Sequence, residues 1–168
     1  MELSLKFTTL ILAVIFTGMS AGLCFTFINT ISPGLGRLTD IGYLQSFQQI
    51  NKTILNPWFM IVFFVPFLLN LANLYLFKDF SNSVVWLLIV ATIFYFFGLV
   101  LITIFGNVPL NEILDKTDLS ITSPEDLKNL RDRFEVKWNR LHLIRSLTSV
   151  ISFFLLLLSL IQISKRIL

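Results

Sequence analysis

The sequence predicts an all-α fold: an integral membrane four-helix bundle, with an amphipathic helix at the interface after the first span and a long final helix extending out of the bilayer. Three observations predict it. Hydrophobic residues fill 55% of the 168 positions, 18 of them Phe, and mean hydropathy is +0.82, whereas a soluble domain is about 45–50% apolar. Four apolar runs, at 7–28, 57–77, 84–105 and 142–163, uncharged but for Arg145 near the start of the last, each supply the roughly 20 residues that a helix needs to cross about 30 Å of hydrocarbon. None of them alternates in polarity, as the strands of a membrane barrel of about 10 residues would. The chain reads as a single membrane domain, 1–168, with extramembrane caps over 29–56 and 106–141.

The first span carries small residues, Met19-Ser20-Ala21-Gly22, where a signal peptide could be cut. The apolar run nevertheless continues through Phe25, Phe27 and Ile28, so the span is expected to be retained. Leu23 ahead of Cys24 argues against a lipoprotein. Ala13, Thr17, Gly18, Ala21 and Gly22 form a surface on which helices approach closely, and packing within the bundle outweighs a dimer interface. The exit, Asn29-Thr30-Ile31-Ser32-Pro33-Gly34-Leu35-Gly36, is turn-rich, with Pro33 predicting a kink and Gly34 and Gly36 permitting positive φ.

After that exit, Leu38, Ile41, Leu44, Phe47, Ile50 and Ile54 recur every three or four residues between polar ones, which predicts an amphipathic helix lying on the bundle. Asn56-Pro57 opens the second span, with proline suited to a first helical turn. In that span Pro66, Asn70 and Asn73 share one face, and buried amides need partners, so the face is expected to look inward. The third span contributes Thr92, Tyr95, Gly98 and Thr103, then is expected to break at Gly106-Asn107-Val108-Pro109-Leu110-Asn111. Ser123-Pro124-Glu125-Asp126 is a helix start. No Gly or Pro follows Glu125, which predicts one helix of about 40 residues ending as the fourth span.

Charge and cysteine usage narrow the function classes. One cysteine permits no internal disulfide and no Cys-x-x-Cys relay, which excludes membrane oxidoreductases built on paired thiols and makes claudin-like folds unsuitable. With four spans, Lys6, Lys78, Lys165 and Arg166 lie on the face that carries both termini. Eight basic residues on the other face are interleaved with eight acidic ones. The Ser164-Lys165-Arg166 stop favours termini in the cytoplasm, with the cell membrane as the expected location. The expected partners are the membrane and a hydrophobic small molecule or lipid, with no nucleic acid.

Trp138, His142, Arg145, Ser149 and Ser152 are spaced by four, three, four and three residues, one stripe along the final helix. Arg145 faces the bundle or snorkels to the interface. With a single histidine and no Asp or Glu within any expected span, a metal site is not expected. What remains is an aromatic surrounding with one base, one fixed cation and several amides. Such a set can deprotonate an acidic carbon and hold the oxyanion that results. Equally, Trp, His and Arg at a membrane boundary can serve only as anchors.

The segments NTISPGLGRL (29–38), NKTILNP (51–57), GNVPLN (106–111) and WNRLHLIR (138–145) together resemble the anthrone oxygenase-like family of small four-helix membrane proteins. The resemblance implies oxidation of an anthrone-like substrate by dioxygen, with neither metal nor other cofactor. It implies His142 as the base and Arg145, Asn107 and Asn111 as stabilisers of the carbanion's enolate form. Trp138 would hold the rings, and Asn29 and Asn139 belong to the same substrate-binding set. Two readings stand at this point: a cofactor-independent membrane monooxygenase of a hydrophobic aromatic compound, and a non-catalytic membrane protein that binds a lipid or a protein partner.

Overall fold

The computed structural model describes the backbone of residues 2–167 and the side chains of 5–165; the Arg166 side chain, counted above among the terminal-face cations, lies outside them. The described residues are predominantly helical, with no strand among them. Four stretches are long and apolar enough to cross a membrane: Leu5–Leu35, Pro57–Leu76, Asn82–Asp115 and Pro124–Lys165. The elements are α1 (Glu2–Thr26), α2 (Ser32–Leu35), α3 (Asp40–Ile54), α4 (Pro57–Leu76), α5 (Asn82–Ile93), α6 (Val108–Asp115) and α7 (Pro124–Ile167). Wider π turns occupy Phe27–Ile31, Phe94–Leu101 and Thr103–Asn107. Helix α1 packs on α4 and α7, and α5 on α7, giving the expected four-helix bundle.

The turn expected over 29–36 and the break expected over 106–111 are both absent at their prolines, for one shared reason. The chain does not turn at Pro33 or at Pro109; each proline starts a new α segment directly after a π turn, α2 and α6. Proline has no N–H, and its ring collides with the carbonyl four residues back in a regular helix. The π turn widens the spacing, so that Ser32 N–H bonds to Phe27 O and Val108 N–H to Thr103 O, each five residues back. Gly34 and Gly36 therefore keep negative φ like every described residue. The first and third spans run on as helices into the cap region.

Helix α3 is capped by Thr39, whose Oγ1 accepts from Gly42 N–H. Its buried stripe is Tyr43, Leu44, Phe47 and Asn51. Leu38 and Ile41, expected on that stripe, stay more than a third exposed. The face rotates because Tyr43 and Phe47 fit among Phe134 and Trp138 of α7. Burial raises the Tyr43 phenol above its ordinary ionisation range; Glu135 adds to the rise and Arg131 opposes it. The Arg131 guanidinium lies over the Tyr43 ring and clamps the α2–α3 connection to α7. It donates to the carbonyls of Leu38 (2.8 Å) and Gly36 (2.9 Å) and to Asp40 and Glu135.

Asn56 caps α4, accepting from Phe59 N–H at 3.0 Å with Pro57 in the first turn. Pro66, Asn70 and Asn73 are buried on its inner face, as expected. Asn73 exchanges bonds with Thr9, but both amide atoms of Asn70 lack a partner among the described residues. Of the small-residue surface on α1, Ala13, Thr17 and Ala21 are buried. A Cβ on Gly18 would meet the Phe153 ring, while Gly22 faces open space. Trp58, Tyr75 and Trp86 point outward near the span ends, where amphipathic rings sit at headgroup depth. Helix α7 runs 44 residues. Its Leu143, Ile144, Leu147, Ile151 and Phe154 are exposed outward, as suits contact with lipid.

Candidate functional site

The inner stripe of α7 leads directly to the site. Trp138, His142, Ser146, Ser149 and Ser152 are all buried, and Arg145 is half-buried between them. A cavity of ≈ 250 Å³ lies where this stripe meets the cap end of α1, the end of α3, the start of α4 and the continuous helix of the third span. Its walls combine aromatic and aliphatic side chains, among them Phe27, Phe47, Phe59, Phe63 and Leu99, with nine polar or charged ones. Such a composition suits a small apolar ligand held in one orientation.

Arg145 turns into the bundle and does not snorkel. Its Nε donates to His142 Nδ1 at 2.8 Å and its Nη1 to Thr103 Oγ1 at 3.2 Å. Its guanidinium carbon stands 5.0 Å from the Trp138 ring centre. No carboxylate pairs with it among the described residues. A guanidinium only donates, so His142 Nδ1 carries the lone pair and the neutral ring holds its proton on Nε2. That N–H faces the Cys24 carbonyl at 3.1 Å. The imidazole also stacks on Trp138, with centroids 4.9 Å apart and planes at 23°. Its two nitrogens and one face are thus committed to Arg145, Cys24 and Trp138.

Trp138 also holds the two amides of the 106–111 segment. The backbone carbonyl of Trp138 accepts from Asn107 Nδ2 at 3.2 Å. Its indole N–H donates to Asn111 Oδ1 at 2.8 Å. Both asparagines line the cavity with Trp138, His142 and Arg145. Asn29 and Asn139 do not. Asn29 is exposed on the π turn at the end of the first span; the wider turn carries it past the cavity. Asn139, on another face of α7, accepts from Ser32 Oγ at 2.7 Å and ties the first span to α7.

Three cavity residues escaped the sequence reading. Glu112 and Asp115 line the cavity because the third span continues through Pro109 instead of breaking. Val108, Glu112 and Asp115 then recur at helical spacing, a pattern visible only once that continuity is known. Asn51 reaches the same wall from α3 and donates to Asp115 at 3.4 Å. Deeper in, Ser20 hydrogen-bonds Tyr95 at 2.9 Å, and Tyr95 donates to Phe63 O. Among the described residues no cluster of three or more His, Cys, Asp or Glu is placed to hold a metal ion.

A sequence model of the anthrone oxygenase family matches residues 57–155. No curated protein and no solved structure matches the chain. The matched segment contains the second and third spans and the whole His142–Arg145–Trp138 cluster, and covers more than half the chain, so this protein belongs to the anthrone oxygenase family.

Proposed function

We propose that the protein is a cofactor-independent membrane oxygenase, which oxidises a hydrophobic aromatic substrate at an acidic ring CH₂ with dioxygen. The observation that carries this reading is Arg145: a cation without a carboxylate partner among the described residues, aimed by His142 and Thr103, on the wall of a largely apolar cavity. An unpaired charge in such surroundings is costly. A substrate that develops negative charge on a carbonyl oxygen supplies the missing partner in the transition state, which is where stabilisation accelerates a reaction.

The chemistry balances with dioxygen as the only oxidant. The CH₂ between two aryl rings loses a proton to His142 Nδ1. As it does so, the Arg145 Nε–H leaves that nitrogen for the enolate oxygen. The carbanion gives electrons to dioxygen and bonds to it. The resulting peroxide takes a proton, and its O–O bond then breaks as the carbon's second hydrogen and the terminal OH leave together as water, leaving a carbonyl. One oxygen atom ends in the product and one in water. Trp138 and the Phe walls hold the rings, and the uncommitted Nδ2 of Asn111 adds a donor for the anion.

The Lys165-Arg166 stop supports termini in the cytoplasm, which would set the cavity near the opposite surface. The deciding experiment is oxygen uptake by purified protein given anthrone, comparing wild type with Arg145→Lys and Arg145→Ala. Lysine keeps the charge but not the fork, so both variants should lose at least about tenfold in kcat, alanine more. Equal rates in all three refute the reading.

A further inference from the structure

Helix α7 carries a second stripe, on the side away from the cavity. Arg133, Lys137 and Arg140 lead it, apolar residues from Ile144 to Ile161 continue it and Lys165 closes it, in steps of four and three residues with every member exposed. From Arg140 to Lys165 the helix rises about 38 Å at 1.5 Å per residue, while a bilayer has about 30 Å of hydrocarbon and 40–45 Å with its headgroups. The apolar part of the stripe therefore crosses the hydrocarbon, and Arg140 and Lys165 stand at the two headgroup layers. One cation at that depth is enough to anchor a helix. Lys137 and Arg133 lie about 4.5 and 10.5 Å beyond Arg140 on the same line, where anchoring does not need them. The protein does not neutralise them either. Arg131 bonds Asp40 and Glu135, and Lys116 bonds Glu112, but Arg133, Lys137 and Arg140 pair with no carboxylate among the described residues. Asp132, beside Arg133 in the chain, points about 100° away around the helix, and no acid lies on the stripe from Arg133 onward.

We infer that Arg133, Lys137 and Arg140 bind the headgroup of an anionic glycerophospholipid in the leaflet on the cap side, whose acyl chains lie along Ile144, Leu147 and Ile151. The stripe offers both halves of such a ligand in the right order: cations at the headgroup layer, and an outward apolar surface directly beneath them. Each cation near a membrane surface favours an anionic over a zwitterionic lipid by roughly fivefold. The attraction fades over a Debye length of about 8–10 Å, so Arg140 and Lys137 contribute most and Arg133, a further turn out, least. Snorkelling without lipid selection needs one cation at the boundary; this line has three, and no acid between them. The site is independent of the oxygenase reading, because His142 and Arg145 occupy the other side of α7.

The test is native mass spectrometry of detergent-purified, full-length protein given dioleoylphosphatidylglycerol and dioleoylphosphatidylcholine at equal concentration. Wild type should hold the anionic lipid at least about tenfold more tightly. In Arg133→Gln/Lys137→Gln/Arg140→Gln the two affinities should fall within about threefold of each other. Arg37→Gln/Lys52→Gln/Lys128→Gln removes the same charge from exposed positions off the stripe and should keep the wild-type preference. Equal binding of both lipids by wild type overturns the inference, as does a preference retained in the folded stripe variant. Equal loss in the two triple variants overturns it as well, since net charge would then be what is read. Release of bound phosphatidylglycerol by millimolar glycerol 3-phosphate overturns the lipid as occupant in favour of a free phosphate ester. Where the stripe variant fails to fold, Arg140→Gln and Lys137→Gln decide singly: each should lose about two- to fivefold of the preference, and no change in either overturns the inference.

Discussion

Replacing His142 by asparagine separates the two things this residue does. Asparagine can set its amide oxygen near the place of Nδ1, 2.8 Å from Arg145 Nε, so the guanidinium keeps its anchor while the base is gone. Removing a positioned general base lowers a rate by about 10²–10⁴-fold. His142→Asn should therefore lose that much in kcat with KM nearly unchanged. His142→Ala removes the anchor as well. A hydrogen bond to a charged group contributes about 1.5–3 kcal/mol, or roughly 10–150-fold, and the loss should appear in kcat/KM beyond that of the asparagine variant. Oxygen uptake with anthrone measures both constants. If His142→Asn turns over at the wild-type rate, His142 is a positioning residue and the base lies elsewhere. If the alanine and asparagine variants are indistinguishable, holding Arg145 is not part of its role.

Three further outcomes concern the scaffold. A Cβ on Gly98 would run into Thr148, including its Cβ, so Gly98→Ala should destabilise by about 1–3 kcal/mol in denaturant titrations; Thr148→Gly should relieve this and Thr148→Ala should not. Asn70 is fully buried with both amide atoms unpartnered, so Asn70→Leu should raise stability by about 1 kcal/mol, and a loss would reveal a partner for the amide. Arg131 bonds two carbonyls and two carboxylates at the α2–α3 connection. Arg131→Ala should weaken that clamp by about 2–3 kcal/mol and speed trypsin cleavage after the exposed Arg37; an unchanged cleavage rate argues against the clamp.

Much of the site was legible in the spacing of one helix. Trp138, His142 and Arg145 share a stripe at intervals of four and three, and nothing in the chain after Pro124 interrupts a helix, so the inward ordering of these side chains followed from periodicity. Glu112 and Asp115 were not legible because proline ordinarily ends a helix, and the π turn that carries the third span past Pro109 depends on a hydrogen bond from Val108 to Thr103 that no residue pattern announces. The same device moved Asn29 out of the site. Which end of the Asn107 amide is tied down depends on a carbonyl of α7, 31 residues further along the chain.

The sequence by itself determined the class of protein, the four spans, the long final helix and the stripe it carries, since hydrophobic length and helical period act locally along the chain. Only the tertiary structure decided that Arg145 faces the cavity without a carboxylate partner among the described residues, that His142 spends both ring nitrogens on Arg145 and Cys24, and that Trp138 ties down opposite ends of two neighbouring amides. Those are properties of groups brought together from distant segments. A hydrogen-bond donor or acceptor acquires its role from the partner across from it, and that partner exists only once the helices have packed.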